Sequence, residues 1–280
     1  MMSDDTAELS AKDIFNRFPK NIERKYGQNF LFDERINRRI VSAAGDLRDK
    51  IVTEVGPGPG GLTLEILKLP IKKVYVLEFD PHWCSVWRDL SHLFDGKLEI
   101  IEANALEFNF RSISSNIIIA NLPYNISVRL LFKWLHELDE YEKLILMFQK
   151  EVARRLCAVP TTKSYGKLSV LVQSLASVSS LFDVAAGNFY PSPKVTSTVV
   201  DIAPKPKYHP PAVSFLQLLD AAFGHRRKVV AKALTLISAD ASKYLQALGY
   251  GSNTRAEEIS VDDYVRLHHS VMAHSEQGLL

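Results

Sequence analysis

From Lys50 to Ala158, short apolar runs alternate with amphipathic stretches, and no other feature limits the fold as strongly. The runs Ile51–Val55, Val74–Leu77, Leu98–Ile101, Ile117–Ala120 and Leu144–Phe148 are rich in β-branched side chains and largely lack an apolar-polar beat. Strands buried on both faces of a parallel sheet have this pattern. Helical spacing fills the gaps: Leu62, Leu64 and Leu67; Trp83 to Phe94; Val128 to Leu138; and Val152, Leu156 and Ala158. Strand and helix in alternation predict an α/β fold, a doubly wound, Rossmann-like and mostly parallel sheet. Two later runs, Val178–Val184 and Val195–Ile202, meet through a Pro-rich corner. They add an antiparallel edge hairpin and bring the expected sheet to seven strands.

The chain divides by composition. Residues 1–24 are polar, with Lys12, Arg17, Lys20 and Arg24, and are expected to be a flexible basic segment. Residues 25–204 hold the α/β pattern, including a helix from about Glu34 to Ala44 closed by Gly45. Ala203-Pro204-Lys205-Pro206-Lys207-Tyr208-His209-Pro210-Pro211 forms a stiff, extended linker. Residues 205–280 carry only helical spacing, as in Phe215, Leu216, Leu219, Ala222 and Phe223, and predict a small all-helical domain. A formal charge of +2 over 280 residues gives no global attraction for a polyanion, so any nucleic-acid site must come from local clusters. Cys84 and Cys157 have neither metal-ligand spacing nor a disulfide framework around them. No metal site is expected. No run approaches the ~20 apolar residues of a membrane span, and no signal segment opens the chain. Those features predict a cytoplasmic protein without a membrane partner.

The candidate chemistry lies at strand ends. Asn121-Leu122-Pro123-Tyr124 follows the run Ile117–Ala120 and so falls outside the carboxyl end of a strand, where open α/β sheets bind ligands. The Asn121 side-chain oxygen and the Leu122 carbonyl can accept both N–H bonds of an exocyclic amine. Pro123 fixes the turn, and the Tyr124 ring offers a face for a base. Taken alone, these four residue types more often form an ordinary strand-to-helix turn with the tyrosine packed in the core. Glu54-Val55-Gly56-Pro57-Gly58-Pro59-Gly60-Gly61 joins the first strand to a helix. It lacks the Gly-Lys-Ser/Thr of a P-loop, and its prolines crowd the turn where a pyrophosphate would need donors. Glu78 ends the next strand, where a carboxylate can bond ribose hydroxyls. Asn104, after the third strand, could accept a bond from an adenine amine. An amino-acid carboxylate at the glycine turn and a ribose acceptor at Glu78 fit S-adenosylmethionine.

Glycine turn, Glu78, Asn104 and Asn-Leu-Pro-Tyr, in this order and at these intervals, resemble the ribosomal RNA adenine N6,N6-dimethyltransferase family. Tyr26-Gly27-Gln28-Asn29-Phe30-Leu31 looks like that family's first cofactor motif. Gln149 to Arg155, Tyr165 to Val170 and Phe189-Tyr190-Pro191-Ser192-Pro193-Lys194-Val195 are similar to later motifs. So are Phe223 to Lys228 and Arg255 to Ser260 in the tail. The resemblance runs from about Lys25 to Val265 and is greatest to the bacterial members. It implies that residues 25–204 form the methyltransferase domain, with S-adenosylmethionine held by Asn29, Leu31, Gly56, Glu78, Asn104 and Asn121. It also implies a catalytic set of Asn121, Leu122, Pro123, Tyr124 and Phe189, with Tyr124 and Phe189 clamping the target base. Two positions depart from the pattern: Asn104 and Thr196 stand where aspartate is usual.

The implied substrate is a pair of adjacent adenosines in the 3′-terminal hairpin loop of small-subunit rRNA, dimethylated at N6 within an assembling subunit by a monomeric enzyme. Basic clusters at residues 12–25, at Lys150, Arg154 and Arg155, and at His225, Arg226, Arg227 and Lys228 are the expected phosphate contacts, the last in the helical tail. Related alternatives are a large-subunit rRNA methyltransferase of the macrolide-resistance type and an assembly factor that has lost catalysis. The C-terminal motifs disfavour the first, and intact Gly56, Glu78 and Asn121 disfavour the second. A nicotinamide oxidoreductase is disfavoured by the prolines in the glycine turn.

Overall fold

The computed structural model describes residues 9–20, 27–206, 212–224 and 228–277, with side chains described to residue 272. The chain forms two compact units. The first comprises Met1–Ala153 and Ser179–Pro204, the second Arg154–Val178 and Lys205–Leu280.

In the first unit, helix α1 (Ala11–Arg17) is capped by the Ser10 hydroxyl. Ile14 on α1 is fully buried in the core of this unit. This corrects the expectation that residues 1–24 are flexible throughout: Ala11 and Ile14 share one apolar face, and burying it anchors the segment. Residues 21–26 lie outside the described part.

Strand β1 (Phe30–Leu31) is followed by helix α2 (Glu34–Ser42), whose first turn is capped by Asp33. Then come β2 (Ile51–Val55), helix α3 (Gly61–Leu67), β3 (Lys73–Glu78), α4 (Pro81–Leu90), β4 (Leu98–Glu102) and β5 (Ile117–Asn121). Helix α5 (Tyr124–Leu135), β6 (Lys143–Gln149), α6 (Lys150–Leu156), α7 (Lys167–Leu175) and β7 (Ala176–Val184) lead to β8 (Phe189–Tyr190) and β9 (Ser197–Pro204).

The seven-stranded sheet has the order β4-β3-β2-β5-β6-β9-β7. Strands β4, β3, β2, β5 and β6 are parallel to one another, as the alternation predicted, and β9 runs antiparallel to β6. β1 and β8 form a separate two-stranded antiparallel sheet that the sequence pattern did not predict, because two residues are too few to show a period.

Apolar side chains from the sheet, among them Val52, Val74, Val76, Ile117 and Ile119, join Leu64, Ile66, Trp83 and Trp87 from the helices in one core. The turn between β2 and α3 is wedged into it. Trp87 Nε1 donates to the Gly58 carbonyl at 2.8 Å, which leaves no room beside Gly60. A Cβ at Gly60 would stand 2.2 Å from the Trp87 ring, on a backbone with φ of +96°. Strain and overpacking therefore act together there.

The second unit has a helical tail: α8 (Val213–Gly224), α9 (Val230–Leu234), α10 (Ala241–Ala247) and α11 (Val261–Gln277). Its core includes Tyr165, whose hydroxyl donates to the Ile259 carbonyl at 2.8 Å. Phe223 lies between the Tyr165 and Tyr264 rings, at 6.3 and 5.5 Å between centroids. Burial of Tyr165 explains why residues 154–178 cluster with the tail, although sequence continuity had grouped them with the α/β part. The tail of the second unit begins at Lys205, and residues 207–211 of the proline-rich linker lie outside the described part.

Gly60→Ala is expected to lower the unfolding free energy by about 2–4 kcal/mol, the sum of a positive-φ penalty and overpacking. Chemical denaturation of the two proteins side by side measures it.

Candidate active site

Strand β2 has β3 on one side and β5 on the other, so the connections leaving their carboxyl ends diverge and leave a crevice. A cavity of about 560 Å³ occupies it. Its wall takes in residues 27–31, the glycine turn, Glu78 and Phe79, residues 103–106 and residues 121–126. Asn29, Leu31, Gly56, Glu78, Asn104, Asn121, Leu122, Pro123 and Tyr124, all singled out in the sequence, come together here.

Asn121 closes β5. Its Nδ2 donates to the Asn29 carbonyl at 3.1 Å, which fixes the amide orientation. Oδ1 then has no partner among the described residues and remains an acceptor. Asn29 is itself held by a bond from its Nδ2 to the Gly27 carbonyl at 3.0 Å. Pro123 caps α5 without a side-chain bond, and its carbonyl accepts from Ile126 and Ser127, each at 3.1 Å. The Tyr124 hydroxyl pairs with Ser197 Oγ at 2.6 Å, so the ring is tethered at its far end. Burial raises the Tyr124 pKa above the phenol value, and the residue stays neutral.

Three carboxylates cluster at the sheet edge. Glu78 is buried and accepts main-chain N–H bonds from Phe79 (2.7 Å), Asp80 (2.9 Å) and Gly58 (3.3 Å). Its pKa still lies above the ordinary value, because burial outweighs those three donors. Asp80 caps α4 and forms an ion pair with Lys20, and Gln28 Nε2 donates to it at 3.0 Å. Glu54, on β2, is pushed up to about 8. Burial is the main cause and the Glu78 charge adds to it, while a 2.6 Å bond from the Thr63 hydroxyl opposes both.

Asn104 opens a tight turn. Its Oδ1 accepts from the Leu106 N–H at 3.1 Å, and its Nδ2 donates to Glu107 at 2.9 Å. One lone pair of Oδ1 is left for a ligand, where an aspartate would offer a second oxygen.

Phe189 does not join this group. It is 5 % exposed, lies in the core opposite Leu31 in the β1–β8 pair, and is absent from the cavity wall. Neighbouring residues on a strand face opposite ways, so the exposed ring of the pair is Tyr190. The expected clamp of Tyr124 and Phe189 is corrected accordingly.

Of the expected phosphate contacts, Arg154 and Arg155 are exposed, Lys150 pairs with Asp183 and Lys228 is exposed. Arg226 and Arg227 lie outside the described residues. Among the described residues no group of acidic, His or Cys side chains could hold a metal, and no helix is long and apolar enough to cross a membrane.

Sequence reasoning missed Glu54, Asp80 and Lys133. A charged residue inside the buried run Ile51–Val55 was the available signal for Glu54, and Asp-Pro ahead of a helix was the signal for Asp80. Lys133 left no signal in the sequence: its Nζ donates to the Ala105 and Leu106 carbonyls, 28 and 27 residues away in the chain.

A doubly wound sheet with this glycine turn, an acidic strand end and Asn-Leu-Pro-Tyr around one crevice defines an S-adenosylmethionine-dependent methyltransferase. The residues fit that cofactor. Gly56 has φ of +74°, and a Cβ there would meet nothing within 4 Å, so its backbone is open to a ligand's approach. Residues 19–272 match the family described as ribosomal RNA adenine dimethylase. The ribosomal RNA small subunit methyltransferase A of Xanthobacter autotrophicus is 40% identical over 264 residues, 91% of each chain. The protein of the same name from Rhodospirillum rubrum is 41% identical over 254 residues, 89% of this chain and 88% of its own. In fold, a dimethyladenosine transferase from Plasmodium falciparum superposes with a TM-score of 0.71 at 24% identity, over 82% of this chain and 93% of that one. The chain belongs to the ribosomal RNA adenine dimethylase family.

Glu54 supplies a pH test. The folded state holds its proton up to about pH 8, whereas the unfolded chain releases it near the ordinary carboxyl value of 4.5. Stability from this group is therefore full below the lower value and is lost as pH rises between the two. Glu54→Gln should raise the melting temperature, by more at pH 8 than at pH 5, and thermal melts across that range measure the difference.

Proposed function

We propose that this protein transfers methyl groups to N6 of two adjacent adenosines in the 3′-terminal hairpin loop of small-subunit rRNA, within an assembling subunit, and does so as a monomer. The single observation that carries the chemistry is the fixed Asn121 amide, whose Oδ1 at the edge of the cavity has no partner among the described residues.

When bound, S-adenosylmethionine supplies a methyl group made electrophilic by its sulfonium. Adenine N6 is a weak nucleophile because its lone pair is delocalised into the ring. The protein's task is therefore alignment, which can be worth several kcal/mol of a transfer barrier. Asn121 Oδ1 and the Leu122 carbonyl each accept one N6–H bond, hold the amine against the cavity and draw electron density onto nitrogen. Tyr124, tethered through Ser197, presents a ring face to the extruded base, a stack worth ~1–3 kcal/mol. Glu78 accepts from the ribose hydroxyls, Gly56 gives the methionine end its close approach, and Asn104 accepts from the adenine amine. Acceptors at the reacting nitrogen are neutral. A sulfonium loses its charge in the transfer, and a strong anion beside it would stabilise the ground state more than the transition state. Single-stranded loop bases suit such a site, since they are the ones a protein can splay out and stack.

Incubation with small-subunit rRNA or subunits and S-adenosylmethionine, followed by nucleoside mass spectrometry, should yield N6,N6-dimethyladenosine. Asn121→Ala should abolish it while leaving cofactor binding weakened but measurable by titration calorimetry. An Asn121→Ala protein with full activity refutes the role of the amide.

For the substrate contacts, replacing Arg226, Arg227 and Lys228 together by Ala should weaken RNA binding. It should also reduce the slope of log affinity against log salt by about 2, as three single-strand phosphate contacts require. Filter binding across a salt series would show an unchanged slope if these side chains only face solvent.

A further inference from the structure

Lys133 lies in the last turn of α5, the helix that begins at Tyr124, flanked by the buried Leu130, Leu131 and Trp134. Its ammonium sits 5.4 Å from the centre of the Phe110 ring. It reaches across to the turn after β4, donating to the Ala105 carbonyl at 3.3 Å and the Leu106 carbonyl at 3.0 Å. Burial lowers the Lys133 pKa against the opposing charges of Glu137 and Glu107.

The geometry gives one peptide group particular weight. The peptide joining Ala105 to Leu106 is planar, with its C=O and N–H pointing opposite ways. Its C=O accepts from Lys133, and its N–H donates to Asn104 Oδ1 at 3.1 Å. Pinned at both ends, the plane cannot rotate, and Asn104 Oδ1 is held in one direction by a residue it does not touch. The Asn104 carbonyl is occupied separately, by the N–H groups of Glu107 and Phe108, both at 2.9 Å. Lys133 is thus the outside anchor of a turn that otherwise closes on itself.

We propose that Lys133 is a positioning residue for recognition of the cofactor's adenine, acting through the Ala105–Leu106 peptide to aim Asn104 Oδ1 at the ring's amine. This rests on Asn104 being the adenine acceptor, and it adds the residue that makes a neutral amide selective there. It also ties the adenine turn to the same helix whose first residue faces the target base, so both ends of the reaction share one rigid element.

The test is binding selectivity, separate from turnover. S-adenosylhomocysteine presents an amine at C6, whereas its inosine analogue presents an oxygen there and a proton on N1. An aimed acceptor favours the first and repels the second. By titration calorimetry the wild-type protein should prefer the adenosyl compound by about 100-fold, the range set by one buried acceptor left facing an acceptor. Lys133→Met keeps the apolar stem and should cut that preference about tenfold, mostly through weaker adenosyl binding. Lys133→Arg, with N–H donors at similar reach, should retain it to within about threefold.

An unchanged preference in Lys133→Met overturns the proposal, and so does an equal loss for both compounds, which a merely structural lysine would produce. If the wild-type protein itself shows no preference, Asn104 is not the adenine acceptor and the role of Lys133 falls with it. Should Lys133→Met fail to fold in a thermal melt, Lys133→Leu, which also lacks a donor, carries the same comparison with the same outcomes.

Discussion

β2 has a parallel neighbour on each side, and the helices that leave β2 and β5 cannot both cover the gap between those strands. Main chain cannot fill that gap either, because its N–H and C=O groups would have no partners there. The crevice is thus a geometric consequence of strand order, and each functional residue reaches it from a strand end. Glu54 and the glycine turn come from β2, Glu78 from β3, Asn104 from the turn after β4, and Asn121 from β5. The N-terminal residues Gly27 to Leu31 close the remaining side and meet the sheet through the bond between Asn121 and the Asn29 carbonyl.

Bringing so many strand ends together also gathers carboxyl groups, and the protein neutralises each by different means. Asp80 takes a cation, Lys20. Glu78 is surrounded by three main-chain donors. Glu54 keeps its proton, held between burial and the charge of Glu78. The arrangement lets an acidic sheet edge stand beside a reaction in which positive charge disappears. In the proposed reaction, the carboxylate of Glu78 would face the ribose, and the reacting nitrogen would be left to an amide and a carbonyl. Asn104 Oδ1 is tied to its turn by the Leu106 N–H, and the carbonyl of that same peptide accepts from Lys133.

The sequence already carried the order of the α/β elements, because each strand is a contiguous apolar run and each helix has a local period. The expected strands at Ile51–Val55 and Val74–Leu77 differ from β2 and β3 by a residue at most at either end. Asn121, Glu78, Gly56 and Asn104 were legible for a related reason: strand ends in such a sheet converge whatever the side chains, so position in the pattern implies position in space. Phe189 was misplaced because its side is decided by the pairing of a two-residue strand with β1, and two residues carry no alternation to read. The segment 154–178 was assigned to the wrong unit because a long-range contact, Tyr165 to Ile259, outweighs chain continuity.

By itself, then, the sequence determined the sheet, the crevice at the carboxyl ends of its strands and the family, since all of these follow from local pattern and strand order. Only the tertiary structure decided which way the Asn121 amide points, that Glu54 is buried enough to hold a proton, and that Lys133 bonds the carbonyls of the turn after β4. Those properties depend on distances between groups far apart in the chain, and on how much water packing leaves around a charge. No local pattern of residues encodes either.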